Sequence, residues 1–107
     1  MIIGVDIDGT LTNEVEGHSL SAYRKRTPNW DMIRKVNYWV LVEHHEVILF
    51  TARHEEDREV TVEWLRKYGV SYRTLILGKP HFDLYIDDIS KRPEEVYWRP
   101  GQQEEVL

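Results

Sequence analysis

Four strand-length runs, separated in the first three-quarters of the chain by helical patterns, constrain the fold more than any other feature. They lie at Ile2–Val5, 47–50, 72–77 and 82–86. Between the first two, Ile33, Val36, Asn37, Val40 and Leu41 fall at the spacing of one helix face. Thr27 suits the cap of that helix and Pro28 its first position, with an end expected near His44 or His45. Between the second and third runs, Glu55, Glu56 and Asp57 favour a helix N-terminus electrostatically, and Val60, Trp64 and Tyr68 mark a buried face. Gly69 suits a left-handed C-cap. The 47–50 run is apolar throughout, as in a strand covered on both faces. A short helix is expected over 93–98. The order βαβαββα predicts an α/β fold, a three-layer sandwich around a mostly parallel central sheet. Its 107 residues are read as one domain, residues 1–107.

Composition removes several classes of function. With no cysteine there is no disulfide frame, thiolate nucleophile or zinc-thiolate site. A formal net charge of −5 disfavours broad electrostatic capture of nucleic acid, so a small-molecule partner is expected. No apolar run approaches the roughly 18 residues of a membrane span, and the N-terminus has no basic region ahead of an apolar signal segment. The expected location is cytoplasmic, with no membrane partner.

The polar residues at the run ends carry the chemistry. Asp6 and Asp8 follow the first run, Thr51 the second, Lys79 the third, and Asp87 with Asp88 the fourth. Parallel strands would bring all of them to one sheet edge, where ligands of open α/β sheets bind. Gly9 permits a sharp turn just beyond the paired acids. Two carboxylates so close repel unless a cation lies between them or one is protonated. Acids suit a hard cation, while Thr and Lys offer donors to phosphate oxygens.

Asp-Ile-Asp-Gly-Thr, Phe-Thr-Ala-Arg, Gly-Lys-Pro and Ile-Asp-Asp, in that order, resemble the four motifs of the haloacid dehalogenase-like (HAD) phosphohydrolase superfamily. The likeness spans residues 2–88 and is nearest in character to small, minimal-cap phosphatases of capsule-biosynthesis type. The Ile-Asp-Asp is also similar to the phosphatase domain of phage polynucleotide kinase. The resemblance implies a Rossmann-type HAD-like sandwich and a magnesium-dependent phosphatase working through an aspartyl phosphate. It implies that Asp6 is the nucleophile and Asp8 the acid and base, with Thr51 and Lys79 clamping the transferring oxygens. Mg2+ would be held by Asp6, the Asp8 carbonyl, Asp87 and Asp88. Arg53 and Arg24 are candidate substrate contacts, the latter from the Arg24-Lys25-Arg26 cluster in the polar connection that follows the first motif.

Each residue has a plainer reading. Asp-x-Asp-Gly is an ordinary strand-ending turn, Thr51 a helix cap, Lys79 and Arg53 surface residues, and Asp87-Asp88 a turn cap. His44 and His45 point about 100° apart on a helix and so read as helix-end residues rather than a metal pair. The four tryptophans read as packing residues. The ordered set at four run ends favours the functional reading. A signalling receiver domain carries its acid pair early, whereas here the pair comes last. A non-catalytic phosphate-binding protein would be expected to lack one of these residues. A phosphomutase needs a closing cap, and only about 15 residues separate Leu11 from the next helix. The net charge of −5 and the absence of an evident base-stacking platform make a sugar or nucleotide phosphate the expected substrate, with a polynucleotide end as the alternative. One tension stands. The five residues Gly78 to Phe82 are too few for a parallel crossover, so either the third strand is shorter or it is not an ordinary parallel neighbour of the fourth.

Overall fold

The structure, a computed structural model, describes residues 1–96. It contains β1 (Ile2–Val5), α1 (Leu20–Arg24), α2 (Trp30–Leu41), β2 (Glu46–Phe50), α3 (Arg58–Lys67) and β3 (Thr74–Ile76). Single 3-10 turns occupy Glu55–Asp57 and Pro93–Glu95. The three strands form one parallel sheet in the order β1-β2-β3. Val5 lies opposite Leu49, and Leu49 opposite Leu75.

Side chains alternate across a strand, so this register sorts the sheet into two faces. Val5, Val47, Leu49 and Leu75 turn into a core shared with Ile33, Val36, Trp39, Trp64 and Leu65. α2 packs against β2, and α1 against α3. Ile2, Phe50 and Ile76 fall on the opposite face and stay exposed. The apolar run of β2 is thus half-covered among the described residues, with Ile48 only partly buried. Burying each core aliphatic is worth about 1.5–3 kcal/mol, which the outer face does not gain here.

Helix ends follow local chemistry, with two departures from the sequence reading. α2 is capped by Asn29, whose Oδ1 accepts from the Met32 N–H at 3.3 Å. Thr27 is engaged elsewhere: its N–H and hydroxyl donate to the Glu14 carboxylate at 2.7 and 2.6 Å, and Pro28 bridges to Thr12. The helix stops at Leu41, ahead of His44 and His45. His44 turns the chain with φ of 57°, and the His45 N–H reaches the Trp39 carbonyl at 2.8 Å. The end of α3 is as expected. Gly69 has φ of 67°; its N–H donates to Arg66 O and that of Val70 to Leu65 O, the paired bonds of a Schellman cap. That helix begins at Arg58, after the acidic 3-10 turn.

The expected fourth strand does not form. Residues 82–86 have no regular structure, and Leu84 and Ile86 are 75% and 86% exposed. Two causes coincide. The link from β3 is too short for a parallel return onto that strand's own outer edge, and the other open edge of the sheet, that of β1, lies across β2 from β3. β3 is itself shorter than the 72–77 run. Its exit is stitched to that of β2, Gly78 N–H to Arg53 O at 2.8 Å and Lys79 N–H to Thr51 O at 2.9 Å. Of the helix expected over 93–98, only the 3-10 turn is seen; Trp98 lies outside the described residues. Among the described residues no helix is long and apolar enough to cross a membrane.

Candidate active site at the strand tips

Beyond β1 the chain winds tightly. The Ile7 carbonyl accepts from the N–H groups of Thr10, Leu11 and Thr12. Gly9 has φ of 80°, and a Cβ there would collide with Val15, so both conformation and space require glycine. This turn fixes Asp6 and Asp8 on either side of the buried Ile7.

Asp6 is half-exposed, with Lys79 Nζ 3.5 Å from its Oδ1. Burial pushes its carboxyl up from the ordinary value; Lys79 opposes this, but the net shift is upward. The stitching of Gly78 and Lys79 onto the β2 exit is what seats the lysine beside Asp6, an arrangement independent of any fourth strand. Thr51 is buried. Its Oγ1 accepts from the Arg53 N–H at 3.2 Å, which leaves the hydroxyl proton free to donate.

Asp8 is bound far more firmly. Arg53 Nε donates to Oδ2 at 2.9 Å and its Nη2 to Oδ1 at 2.7 Å, a bidentate fork, while Arg26 Nε donates to Oδ1 at 2.9 Å. Both arginines are only 3% exposed. Their remaining nitrogens are engaged too: Arg26 Nη1 and Nη2 reach the carbonyls of Glu16 and Gly17, and Arg53 Nη1 reaches Thr61 Oγ1 at 2.9 Å. The Arg53 guanidinium lies 3.9 Å from the ring centre of buried Tyr23, and that of Arg26 5.3 Å. Trp64 Nε1 donates to the Arg26 carbonyl at 3.0 Å. Burial, the largest single influence on Asp8, would raise its pKa. The hydrogen bonds and charges of the two arginines outweigh it, and the carboxyl is held below its ordinary value.

Asp6, Asp8, Thr51, Lys79 and Arg53 therefore gather at one end of the sheet. Three expectations need correcting. Arg53 is a core residue bound to Asp8, since its fork fits a carboxylate there. Arg24 is exposed at the end of α1; Arg26, two residues on, is the member of the basic cluster that turns inward, drawn by Asp8 and two carbonyls. Asp87 and Asp88 are exposed, because the strand meant to carry them is not formed. Asp87 instead accepts from the Tyr85 hydroxyl and the Ile89 N–H, and the Tyr85 bond is the main cause of its lowered pKa. Among the described residues no three acids or histidines converge on a cation position. Sequence reasoning missed Tyr23 and Thr61, and named Arg26 only as part of the basic cluster. Only Thr61 left a signal, a hydroxyl on the same helical stripe as Trp64 and Leu65.

No family model matches this chain, and no curated protein does. Two solved structures are similar. A crystallised target protein from Vibrio cholerae shares 32% identity and a TM-score of 0.72, over 88% of this chain and 85% of that one. A chain of the Pnkp1/Rnl/Hen1 complex shares 25% identity with a TM-score of 0.61 over 87% of this chain, which spans 32% of the length of that chain.

Proposed function

We propose, for a chain that belongs to the family of that Vibrio cholerae protein, a HAD-like phosphatase that hydrolyses a small phosphomonoester through Asp6. One observation carries the reading. A half-exposed carboxylate has an ammonium at 3.5 Å, a free hydroxyl proton on the neighbouring strand tip, and a second carboxylate two residues on held in a fixed orientation. Nucleophile, oxyanion donors and acid–base group are the parts that phosphoryl transfer through a covalent intermediate requires.

In the first step an Asp6 oxygen attacks phosphorus. The bond from phosphorus to the leaving oxygen breaks, its electron pair stays with that oxygen, and Asp8 supplies the proton. In the second, water attacks the aspartyl phosphate, Asp8 takes the water proton, and phosphate leaves with Asp6 restored. Lys79 and Thr51 donate to the transferring oxygens throughout. In the free protein the arginines keep Asp8 ionised; a phosphate dianion arriving beside it opposes them and favours the protonated carboxyl.

The finer HAD architecture belongs to this proposal, and so does magnesium. As arranged, Asp87 and Asp88 do not fit a cation site with Asp6 among the described residues. For them to join it, residues 82–86 must pair with the free edge of β1. The exposed apolar residues of that run and the unpartnered edge support such a closure.

The test is turnover of p-nitrophenyl phosphate with magnesium, in the wild type and in Asp6→Asn. Activity lost in the variant is expected. Activity undiminished removes Asp6 as nucleophile, and a wild type that binds phosphate without turnover makes this a binding protein. A panel of sugar phosphates, nucleotides and end-phosphorylated oligonucleotides, run across a salt series, then identifies the substrate. A steep fall with salt on oligonucleotides alone would mark a polynucleotide end phosphatase.

A further inference from the structure

The donors around Asp8 are unevenly shared between its two oxygens. A carboxylate offers about four lone-pair positions, two on each oxygen. Oδ1 receives two donors, Arg26 Nε at 2.9 Å and Arg53 Nη2 at 2.7 Å, and is saturated. Oδ2 receives one, Arg53 Nε at 2.9 Å, and keeps one position open. We infer that Arg26 and Arg53 are positioning residues that make Oδ2 the single proton-transferring oxygen of Asp8. This rests on the phosphatase reading above and goes beyond it by assigning the atom and the residues that select it.

The two arginines are themselves held from outside the strand tips. Arg53 is gripped by Thr61 on α3 and stacked on Tyr23 of α1, while Arg26 is fixed by the Glu16 and Gly17 carbonyls of the polar connection. With all these donors engaged, neither guanidinium can swing away to meet a substrate without breaking several bonds. Their service is to the carboxylate. The proton passes from Oδ2 to the leaving oxygen as its bond to phosphorus breaks, and in the second step the open position on Oδ2 receives the proton of the attacking water.

Leaving-group dependence tests this. An alkyl phosphate needs its leaving oxygen protonated, whereas p-nitrophenolate departs readily without help. The measurement is kcat/KM on both esters for the wild type, Asp8→Asn, Arg26→Lys, Arg53→Lys and Tyr23→Leu, each assayed below its own melting midpoint. Lysine keeps the charge and the stem but removes the planar fork, so Arg26→Lys and Arg53→Lys preserve the fold best. General acid catalysis is worth about 10²–10⁴-fold, so Asp8→Asn should lose about that much more on the alkyl ester than on the aryl ester. The lysine variants should show the same asymmetry, about tenfold or more, and Tyr23→Leu a weaker form of it. If Asp8→Asn shows the asymmetry while Arg26→Lys and Arg53→Lys lose equally on both esters, the arginines are structural and the inference falls. If Asp8→Asn itself loses equally on both, or the wild type turns over neither, the acid assignment beneath it falls as well.

Discussion

Around Asp8 the protein buries two arginines and satisfies them with a carboxylate, two carbonyls, a threonine hydroxyl and an aromatic face. Between Phe82 and Ile89 it leaves five large apolar side chains, Phe82, Leu84, Tyr85, Ile86 and Ile89, in water. The usual preferences of charged and apolar groups are reversed in the two regions, and the reason is the reach of the interactions involved. The buried charges are served by groups that a tight turn, one short helix and two stitched strand exits bring together. An apolar strand needs a partner edge, and here the short link bars a parallel return onto β3 while the other open edge, that of β1, lies on the far side of β2.

The hardest test of the built corner is the nucleophile proposed there, Asp6. Asp6→Asn should cut kcat by more than ~10⁴-fold, as loss of a covalent nucleophile commonly does. Residual turnover within tenfold of wild type would mean that the corner is organised for binding.

Stability should separate the two regions next. Asp8→Ala leaves two buried arginines without their carboxylate, and breaking such a pair costs about 3–5 kcal/mol. Leu84→Ala, at an exposed position, should stay within about 0.5 kcal/mol. Urea denaturation checks both. A cost of about 2 kcal/mol or more for Leu84→Ala would show that the segment is packed in solution, and the contrast would be gone.

The two neighbouring carboxylates should respond oppositely to acid. Asp8 is held below its ordinary value, so its stabilisation is complete above that value and lost as pH falls beneath it. Asp6 is pushed up, so its protonated form is favoured in the folded state, and stability declines as pH rises from its ordinary value through its folded one. Urea midpoints between about pH 2.5 and 6 should show Asp8→Asn with a flatter acid limb, and Asp6→Asn without the decline above the ordinary carboxylate value. The same limb in both variants would contradict the opposed environments.

The smallest effect concerns the open segment. Adding magnesium with phosphate should slow amide exchange in residues 82–86, and Asp87→Asn should need severalfold more magnesium for half-maximal rate, through loss of ligand charge. Exchange unchanged by magnesium would leave the fourth run outside the site.

What was legible in the sequence follows the same division. The Gly69 cap, the β1 turn and the cores of α2 and α3 depend on neighbours a few residues apart, and their patterns were plain. Thr27-Pro28 looked like a helix start, but Glu14, thirteen residues earlier, had a stronger claim on Thr27. Nothing local distinguishes Arg26 from Arg24 in a run of three basic residues; only the distant Asp8 does. The gathering of Asp6, Thr51 and Lys79 was readable because parallel strands share one end. The placing of Asp87 and Asp88 assumed a strand that the short link from β3 does not deliver.

The connection after β1 has a use in protein engineering. Its two ends are fastened together by the Thr12 to Pro28 bridge, by Asn13 N–H to Thr27 O at 3.0 Å, and by Glu14 with Thr27. Its mid-point, exposed His18, lies between the carbonyls that hold Arg26 and the Ser19 cap of α1. Doubling the length of a flexible loop costs only about 0.6 kcal/mol when its ends are already closed. A guest segment, even a small folded module, could be spliced in at His18 while the anchor points stay where they are. The scaffold can thus acquire a new lid by a single insertion, without redesign of the residues beneath it.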